Sequence, residues 1–270
     1  MPVIIITGAS DGIGAEMARQ LAVAPNVQLV LAARKEAPLH DVARQCQTLG
    51  AQTLVVPTDV RDPTQCQALI EATVQAYGRI DTLINNAGVS AQALFADVKA
   101  QDLHWYEDLM RVNLWGSVWC THAALPHLRA SKGRLAAVSS LAGLVGVPGR
   151  TAYSATKFAM AGFFEALRTE ERGHGLSVTI AYPGVVATQI RYHGLNAQGV
   201  AAGASGLKED NAMSVETCAR LILQGLQARE REVVMTSAGK IGRFLKLLVP
   251  GWVESLTMSA LKNEVKPRQD

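Results

Sequence analysis

The stretch TGASDGIG, Thr7 to Gly14, follows the apolar run that begins at Val3 and leads into a helical pattern. Its three glycines suit three different tasks. Gly8 permits a tight turn. Gly12 lets the phosphates of a ligand approach the backbone. Gly14 lets the following helix pack close to the strand, with its N-terminus aimed at those phosphates. Ser10 is placed to touch phosphate, and Ile13 lies beside the glycines. The spacing is G-x-x-x-G-x-G rather than the G-x-G-x-x-G fingerprint, although the physics is shared. Alone, the loop reads equally well as an ordinary glycine-rich turn.

Outward from this loop, short apolar or β-branched runs alternate with longer helical patterns. The runs are 3–7, 27–32, 52–57, 82–85, 133–139, 177–182 and 232–235. Helical patterns lie at 13–23, 37–49, 63–77, 152–172 and 214–228, with two more within 103–130. Such alternation predicts an α/β fold with a parallel sheet and helices on both faces. The runs are apolar throughout, as strands covered on both sides must be. Residues 194–211, rich in Gly, Ala and polar side chains, read as an open loop.

The chain has 270 residues, 49% hydrophobic and 18% charged, so a large core can form. A net charge of +3 without any block of basic residues gives no sign of nucleic-acid binding. Cys46, Cys66, Cys120 and Cys218 lie far apart, with no metal-binding spacing; none is expected among the six histidines either. Reduced thiols and a cytoplasmic location are the expectation. No secretory signal and no membrane-spanning run is apparent.

Five further strings occur in order: NNAG (Asn85–Gly88), VNLWG (Val112–Gly116), VSSLAG (Val138–Gly143), YSATK (Tyr153–Lys157) and PGVVAT (Pro183–Thr188). With TGASDGIG at the start, the chain resembles the short-chain dehydrogenase/reductase family from about residue 3 to residue 235. The TGxxxGIG spacing is similar to the single-domain reductase branch, not to the longer epimerase and dehydratase branch. The resemblance implies a Rossmann-type, doubly wound parallel sheet of about seven strands. It divides the chain into a domain over 1–237 and a C-terminal amphipathic tail over 238–270 that belongs to the same domain. A homodimer or homotetramer is typical of the family.

Tyr153 and Lys157 stand four apart on a helical pattern and share one face. A tyrosine is a poor acid or base at neutral pH, and a fixed ammonium beside it is expected to lower its pKa. That adjustment is what general acid–base work needs. Ser140 ends a strand at the edge where open α/β sheets bind ligands. By resemblance its hydroxyl meets the substrate carbonyl oxygen. Ser139 competes for that role, and the gap to Tyr153 favours Ser140. Asn113 matches the asparagine that holds a water linking the lysine to solvent, and Lys157 matches the lysine that reaches the nicotinamide ribose. The implied reaction is hydride transfer between a nicotinamide and a carbonyl or secondary alcohol. A binding protein that had lost catalysis is the competing class, and the complete set Asn113, Ser140, Tyr153 and Lys157 speaks against it.

Arg34 follows the second strand, 20 residues after Gly14. An acid there binds the ribose 2′-hydroxyl of NAD, whereas an arginine accommodates the 2′-phosphate of NADP. Arg34, with Lys35 beside it, therefore favours NADP(H) over NAD(H). Glu36 is expected to open the next helix. Asp11 weakens the preference a little, since many NADP-binding members carry a base there. Asp59 and Val60 match the family's adenine contacts, although Asp59 also reads as an acid at a helix start. Asn86, Ala87 and Gly88 are implied to run along the adenosine ribose. Pro183, Val186 and Thr188 are implied to border the nicotinamide, with Thr188 near its carboxamide or the phosphates. Tyr192 and His193 stand where the family's substrate loop begins.

Trp105, Tyr106, Trp115 and Trp119 are expected to pack in the core or against another subunit. Glu170 and Glu171 read as a charged helix end. In the tail, Ile241, Phe244, Leu245, Leu247 and Leu248 recur at helical spacing between Lys240, Arg243 and Lys246, until Pro250 and Gly251 interrupt them. Packing over the substrate pocket or against a subunit is favoured. Contact of this basic amphipathic segment with a membrane surface is the less favoured alternative.

Overall fold

A computed structural model of the chain describes residues 1–203 and 212–264. The strands are β1 (Val3–Thr7), β2 (Gln28–Ala33), β3 (Gln52–Pro57), β4 (Thr82–Asn85), β5 (Arg134–Val138), β6 (Ser177–Tyr182) and β7 (Glu232–Val234). They form one sheet in the order β3-β2-β1-β4-β5-β6-β7, and every pairing is parallel. Between them run α1 (Gly12–Ala22), α2 (Glu36–Thr48), α3 (Pro63–Tyr77), α4 (His104–Met110), α5 (Gly116–Ala130), α6 (Thr151–Glu170) and α7 (Val215–Gln227). The tail folds as α8 (Ser237–Leu248) and α9 (Pro250–Glu264). The Rossmann-type doubly wound sheet is thus present, and its strand order reverses between β1 and β4.

The alternation of side chains along β1 builds both layers. Ile4 and Ile6 are buried with Met17 of α1, Leu39 of α2 and Ile222 of α7. Val3 and Ile5 are buried on the other face with Leu69 of α3, Cys120 of α5 and Phe164 of α6. Each fully buried side chain of this size contributes about 1.5–3 kcal/mol. All four cysteines are buried and free.

Helix starts follow local chemistry. Asp62 caps α3 by accepting from Thr64 N at 2.8 Å, and Pro63 occupies the first turn, where its missing N–H costs nothing. The acid that opens this helix is therefore Asp62, not Asp59. Glu36 does open α2.

The two helical patterns expected within 103–130 are α4 and α5. A π-helical turn, Arg111–Trp115, joins α4 to α5. Glu171 is not part of a solvated helix end. It is buried and accepts two hydrogen bonds from Arg129 of α5, at 2.7 and 2.6 Å. The guanidinium holds the Glu171 carboxyl below its ordinary value and clamps the end of α6 to α5.

Of the loop expected at 194–211, residues 204–211 lie outside the described residues, as do 265–270 of the tail. The described part is a hydrogen-bonded turn: Ala202 N donates to Gly194 O at 2.8 Å, and Leu195 bridges to Ala91. No helix among the described residues is long and apolar enough to cross a membrane.

Candidate active site

The glycine loop sits at the carboxyl end of β1, where the strand order reverses. Gly8 has φ +66° and Gly12 φ +53°, conformations that glycine adopts freely. A side chain at Gly14 would lie 2.2 Å from Gly8 O and 2.5 Å from Asn86 Nδ2, so helix and loop touch backbone to backbone there. Asn86 ties the loop to the end of β4. Its Nδ2 donates to Thr7 O at 3.0 Å and Gly8 O at 3.1 Å, while its backbone N donates to Thr7 Oγ1 at 3.0 Å. The sequence reading put Asn86 along a ligand; its side chain holds the loop that would receive one. Ser10 and Ile13 are half-buried around this turn, and Asp11 caps α1 by accepting from Gly12 N at 2.6 Å.

A glycine cradle, a helix N-terminus and the ends of two neighbouring strands converge here, and this arrangement fits a dinucleotide pyrophosphate. Thr188 closes it from the far side: its Cγ2 is 3.4 Å from where a Gly12 side chain would begin. Pro183 and Val186 are buried behind Thr188, and Pro183 O accepts from Leu141 N at 2.9 Å. This bond links the end of β6 to the turn that carries Ser140.

Around β2, Arg34 and Lys35 are exposed. Asp59 faces them from the end of β3, with its carboxylate held by Arg61: Nε lies 3.1 and 3.0 Å from the two oxygens and Nη2 2.6 Å from one. Arg61 chiefly, and Arg34 to a smaller extent, lower the Asp59 carboxyl. Val60 is buried under Gly116, where any side chain would come within 2.7 Å of its Cβ. The glycine of VNLWG is there to let α5 start against Val60.

Tyr153 is buried near the start of α6 and Ser140 is half-buried at the end of β5. The two serines separate cleanly. Ser139 is buried, and its hydroxyl donates to Lys157 O at 3.2 Å. Ser140 interacts with the Tyr153 phenol and accepts from Ala142 N at 3.2 Å. Lys157 Nζ donates to Val138 O at 2.9 Å and lies 5.7 Å from the centre of the Tyr153 ring. Burial without an acidic partner lowers the lysine to about 8.

Burial also raises the Tyr153 phenol above its ordinary value, and the opposing influences are the Arg150 guanidinium and the Ser140 hydroxyl. The sequence reading gave the lowering task to Lys157. In the structure the nearby charge that lowers the phenol is Arg150, whose Cζ stands 5.8 Å from the ring centre. Arg150 was missed. It stands three residues before Tyr153, at the N-cap of α6.

Asn113 is fully buried in the π-helical turn. Its Oδ1 accepts from Val89 N at 2.8 Å, and its Nδ2 donates to Val89 O and Thr156 Oγ1, both at 3.0 Å. The side chain thereby joins the loop after β4 to α6 opposite Tyr153. At Gly88 a side chain would meet Asn113 Oδ1 at 3.2 Å and Lys157 Nζ at 3.7 Å, so the bare backbone at Ala87 and Gly88 borders the same space.

Tyr153 sits in a buried apolar cluster with Ala91, Trp105, Leu109, Ala142 and Ala152, against which Val147 and Leu195 pack. Trp105 is thus a core residue, and its Nε1 donates to Ala197 O at 3.3 Å. Trp115 is half-exposed and stacks on Trp119. Tyr192 is half-buried and His193 exposed, after a short turn at the end of the same loop as Thr188.

Comparison with known proteins places this geometry. A model of the short chain dehydrogenase family matches residues 2–197. "11-beta-hydroxysteroid dehydrogenase A" of Arachis hypogaea is 36% identical over 259 residues, covering 93% of this chain and 73% of that one. "11-beta-hydroxysteroid dehydrogenase-like 2" of Arabidopsis thaliana is 33% identical, covering 98% and 83%. Among solved structures, a short chain dehydrogenase/reductase from Burkholderia phymatum in complex with NAD superposes with a TM-score of 0.81 at 24% identity, covering 93% of this chain and 94% of that one. An alcohol dehydrogenase from the archaeon Thermococcus sibiricus, complexed with 5-hydroxy-NADP, gives 0.76 at 22% identity, covering 88% and 97%. These two share the fold. From the matched family and the gathered glycine loop, serine, tyrosine and lysine, the chain belongs to the short-chain dehydrogenases, oxidoreductases that act with a nicotinamide cofactor on CH–OH groups.

Proposed function

We propose that this chain is an NADP(H)-dependent reductase or dehydrogenase of apolar carbonyls or secondary alcohols, with Tyr153 as its acid–base residue. The observation that carries this reading is the meeting of Ser140 and Tyr153 above Lys157, beside the glycine cradle. When bound, the nicotinamide supplies or accepts the hydride. Tyr153 gives a proton to the carbonyl oxygen in reduction and takes it back in oxidation. Ser140 holds that oxygen. Lys157 reaches the nicotinamide ribose and, through a water held at Asn113, refills the proton. Ser10, Gly12, Ile13 and Thr188 surround the phosphates, Arg34 and Lys35 receive the 2′-phosphate, and Asp59 and Val60 border the adenine. Ala87 and Gly88 line the adenosine ribose, Pro183 and Val186 the nicotinamide, and Tyr192 and His193 the substrate mouth.

The steroid-named relatives support a bulky apolar substrate, and the buried apolar cluster that holds Tyr153 is consistent with one. A panel of carbonyls with the purified chain, followed by NADPH and NADH absorbance side by side, tests this. Turnover is expected with NADPH and ring-bearing apolar ketones. Activity confined to small polar carbonyls would overturn the substrate class, and no turnover at all would overturn the assignment.

Arg150 provides a sharper test of how the phenol is tuned. Removing its charge in Arg150→Gln takes away an influence that lowers the Tyr153 phenol, so the phenol rises further. Oxidation needs the phenolate, so its rate should climb only at higher pH than in the parent. Reduction needs the phenol, so its alkaline decline should also move to higher pH. Profiles of kcat/KM in both directions check this, and an unmoved limb would remove Arg150 from the account.

A further inference from the structure

We propose that the outer face of α8 and α9 docks on an anionic lipid surface. The underside of this helical pair is already seated on the chain. Gly239 meets the side chain of Leu141, Lys246 Nζ donates to Leu144 O at 3.2 Å and stands 4.7 Å over the Phe158 ring, and Leu261 touches Gly149. One side of the tail is therefore covered by the chain itself.

The other side is bare. Ile241 is 57% exposed, Phe244 60%, Leu247 79%, Leu248 78%, Trp252 55% and Leu256 50%. Ile241, Phe244 and Leu248 recur at intervals of three and four, so they form one stripe along α8. Pro250 opens α9 directly after α8, and Trp252 and Leu256, one turn apart, add a second apolar stripe there. Apolar surface gathered in this way on one element marks an interaction site rather than scattered exposure.

Charge selects the occupant. The chain has 26 Lys and Arg against 23 Asp and Glu. Residues 237–270 hold six of those bases and three of those acids, so the rest of the chain is neutral and its whole surplus lies in this tail. Lys240 is exposed two turns from Leu247, on the same flank of α8. A second copy of the chain would bring the same positive surplus against itself. An anionic bilayer supplies both an apolar layer for the stripes and negative headgroups for the flanks, and an amphipathic basic helix with Phe, Leu and Trp on one face is the form that lies in such an interface. The inference does not depend on the catalytic reading.

Sedimentation of the full chain with vesicles tests it. Vesicles of phosphatidylcholine mixed with phosphatidylglycerol should carry the protein down at low salt. Phosphatidylcholine alone should carry far less, and added salt should release the protein. The double variant Leu247→Ser, Leu248→Ser should lose at least about tenfold in partition, because two leucines no longer enter the apolar layer. Lys240→Glu should weaken binding to the mixed vesicles alone. Unchanged thermal melting and cofactor binding show that the variants are folded, and the salt dependence of the parent chain needs no variant. Failure of the parent to sediment, or equal binding to both vesicle types, would overturn the proposal. So would a parent dimer that ignores vesicles and that the double variant splits, which would give the face to a second copy.

Discussion

Replacing Tyr153 with phenylalanine is expected to lower turnover by about 10²–10⁴-fold in both directions while leaving cofactor affinity close to that of the parent. The substitution deletes one oxygen and little else. The ring keeps its volume in the buried start of α6, and Arg150 and Lys157 keep an aromatic face at 5.8 and 5.7 Å. Lys157 keeps its hydrogen bond to Val138 O, and Ser139 keeps its bond to Lys157 O. What disappears is the proton donor facing Ser140. Ser140 alone cannot replace it, because an aliphatic hydroxyl is a far weaker acid than a phenol. Nucleotide affinity should be spared because the glycine cradle stands on β1, α1 and the Asn86 bonds, none of which Tyr153 touches. Turnover from NADPH absorbance and affinity from NADPH fluorescence separate the two quantities. A variant with parental turnover would remove Tyr153 from the chemistry. Equal loss of turnover and affinity would make its role structural.

The sheet was legible because its signal is repeated: seven apolar runs, each bounded by a helical pattern, leave few alternatives to a parallel α/β fold. Boundaries shifted by a residue or two, as at β2, which begins at Gln28 and ends at Ala33. The candidate catalytic residues were legible as residue types at spacings, and the structure distinguishes two that spacing could not. Ser139 and Ser140 are neighbours just past the end of β5, yet Ser139 turns to Lys157 O while Ser140 turns to the phenol. Side-chain partners across elements were not legible. Asn86 turned to the glycine loop and Glu171 to Arg129, because each partner lies on a distant chain segment whose placement the local pattern does not encode. The balance of charge at Tyr153 was hidden for a related reason. Lys157 sits at the right spacing, but burial lowers its own charge affinity and its ammonium is spent on a backbone carbonyl. Arg150 comes nearest to offsetting the burial of the phenol. The bare face of the tail could not be read either, since the helical pattern of α8 and α9 shows an apolar side without showing what covers it.

Arg34→Ala is expected to raise KM for NADPH by about 10–100-fold and to change KM for NADH by no more than about twofold. The basis is the charge available at the end of β2. Arg34 is exposed there with Lys35, and the nearby acid that could neutralise it is already engaged: Asp59 takes Arg61 through both oxygens. A pair saturated in this way repels an incoming 2′-phosphate less than an unpaired carboxylate would, and it leaves the Arg34 guanidinium to make paired hydrogen bonds to the phosphate. A hydrogen bond to a charged group contributes about 1.5–3 kcal/mol, which converts to the stated range. NADH carries a hydroxyl at the same position and gains little from the guanidinium, so its KM should stay near the parent value. Asp11 opposes the preference only weakly, because its carboxylate caps α1 by holding Gly12 N. Salt gives an independent reading: at an exposed site the NADPH advantage should narrow as ionic strength rises, while KM for NADH stays flat. Initial rates with each nucleotide at low and high salt measure both effects. If Arg34→Ala changes the two Michaelis constants equally, the turn after β2 is a solvated surface and the preference for NADP(H) has to be sought elsewhere along the cradle.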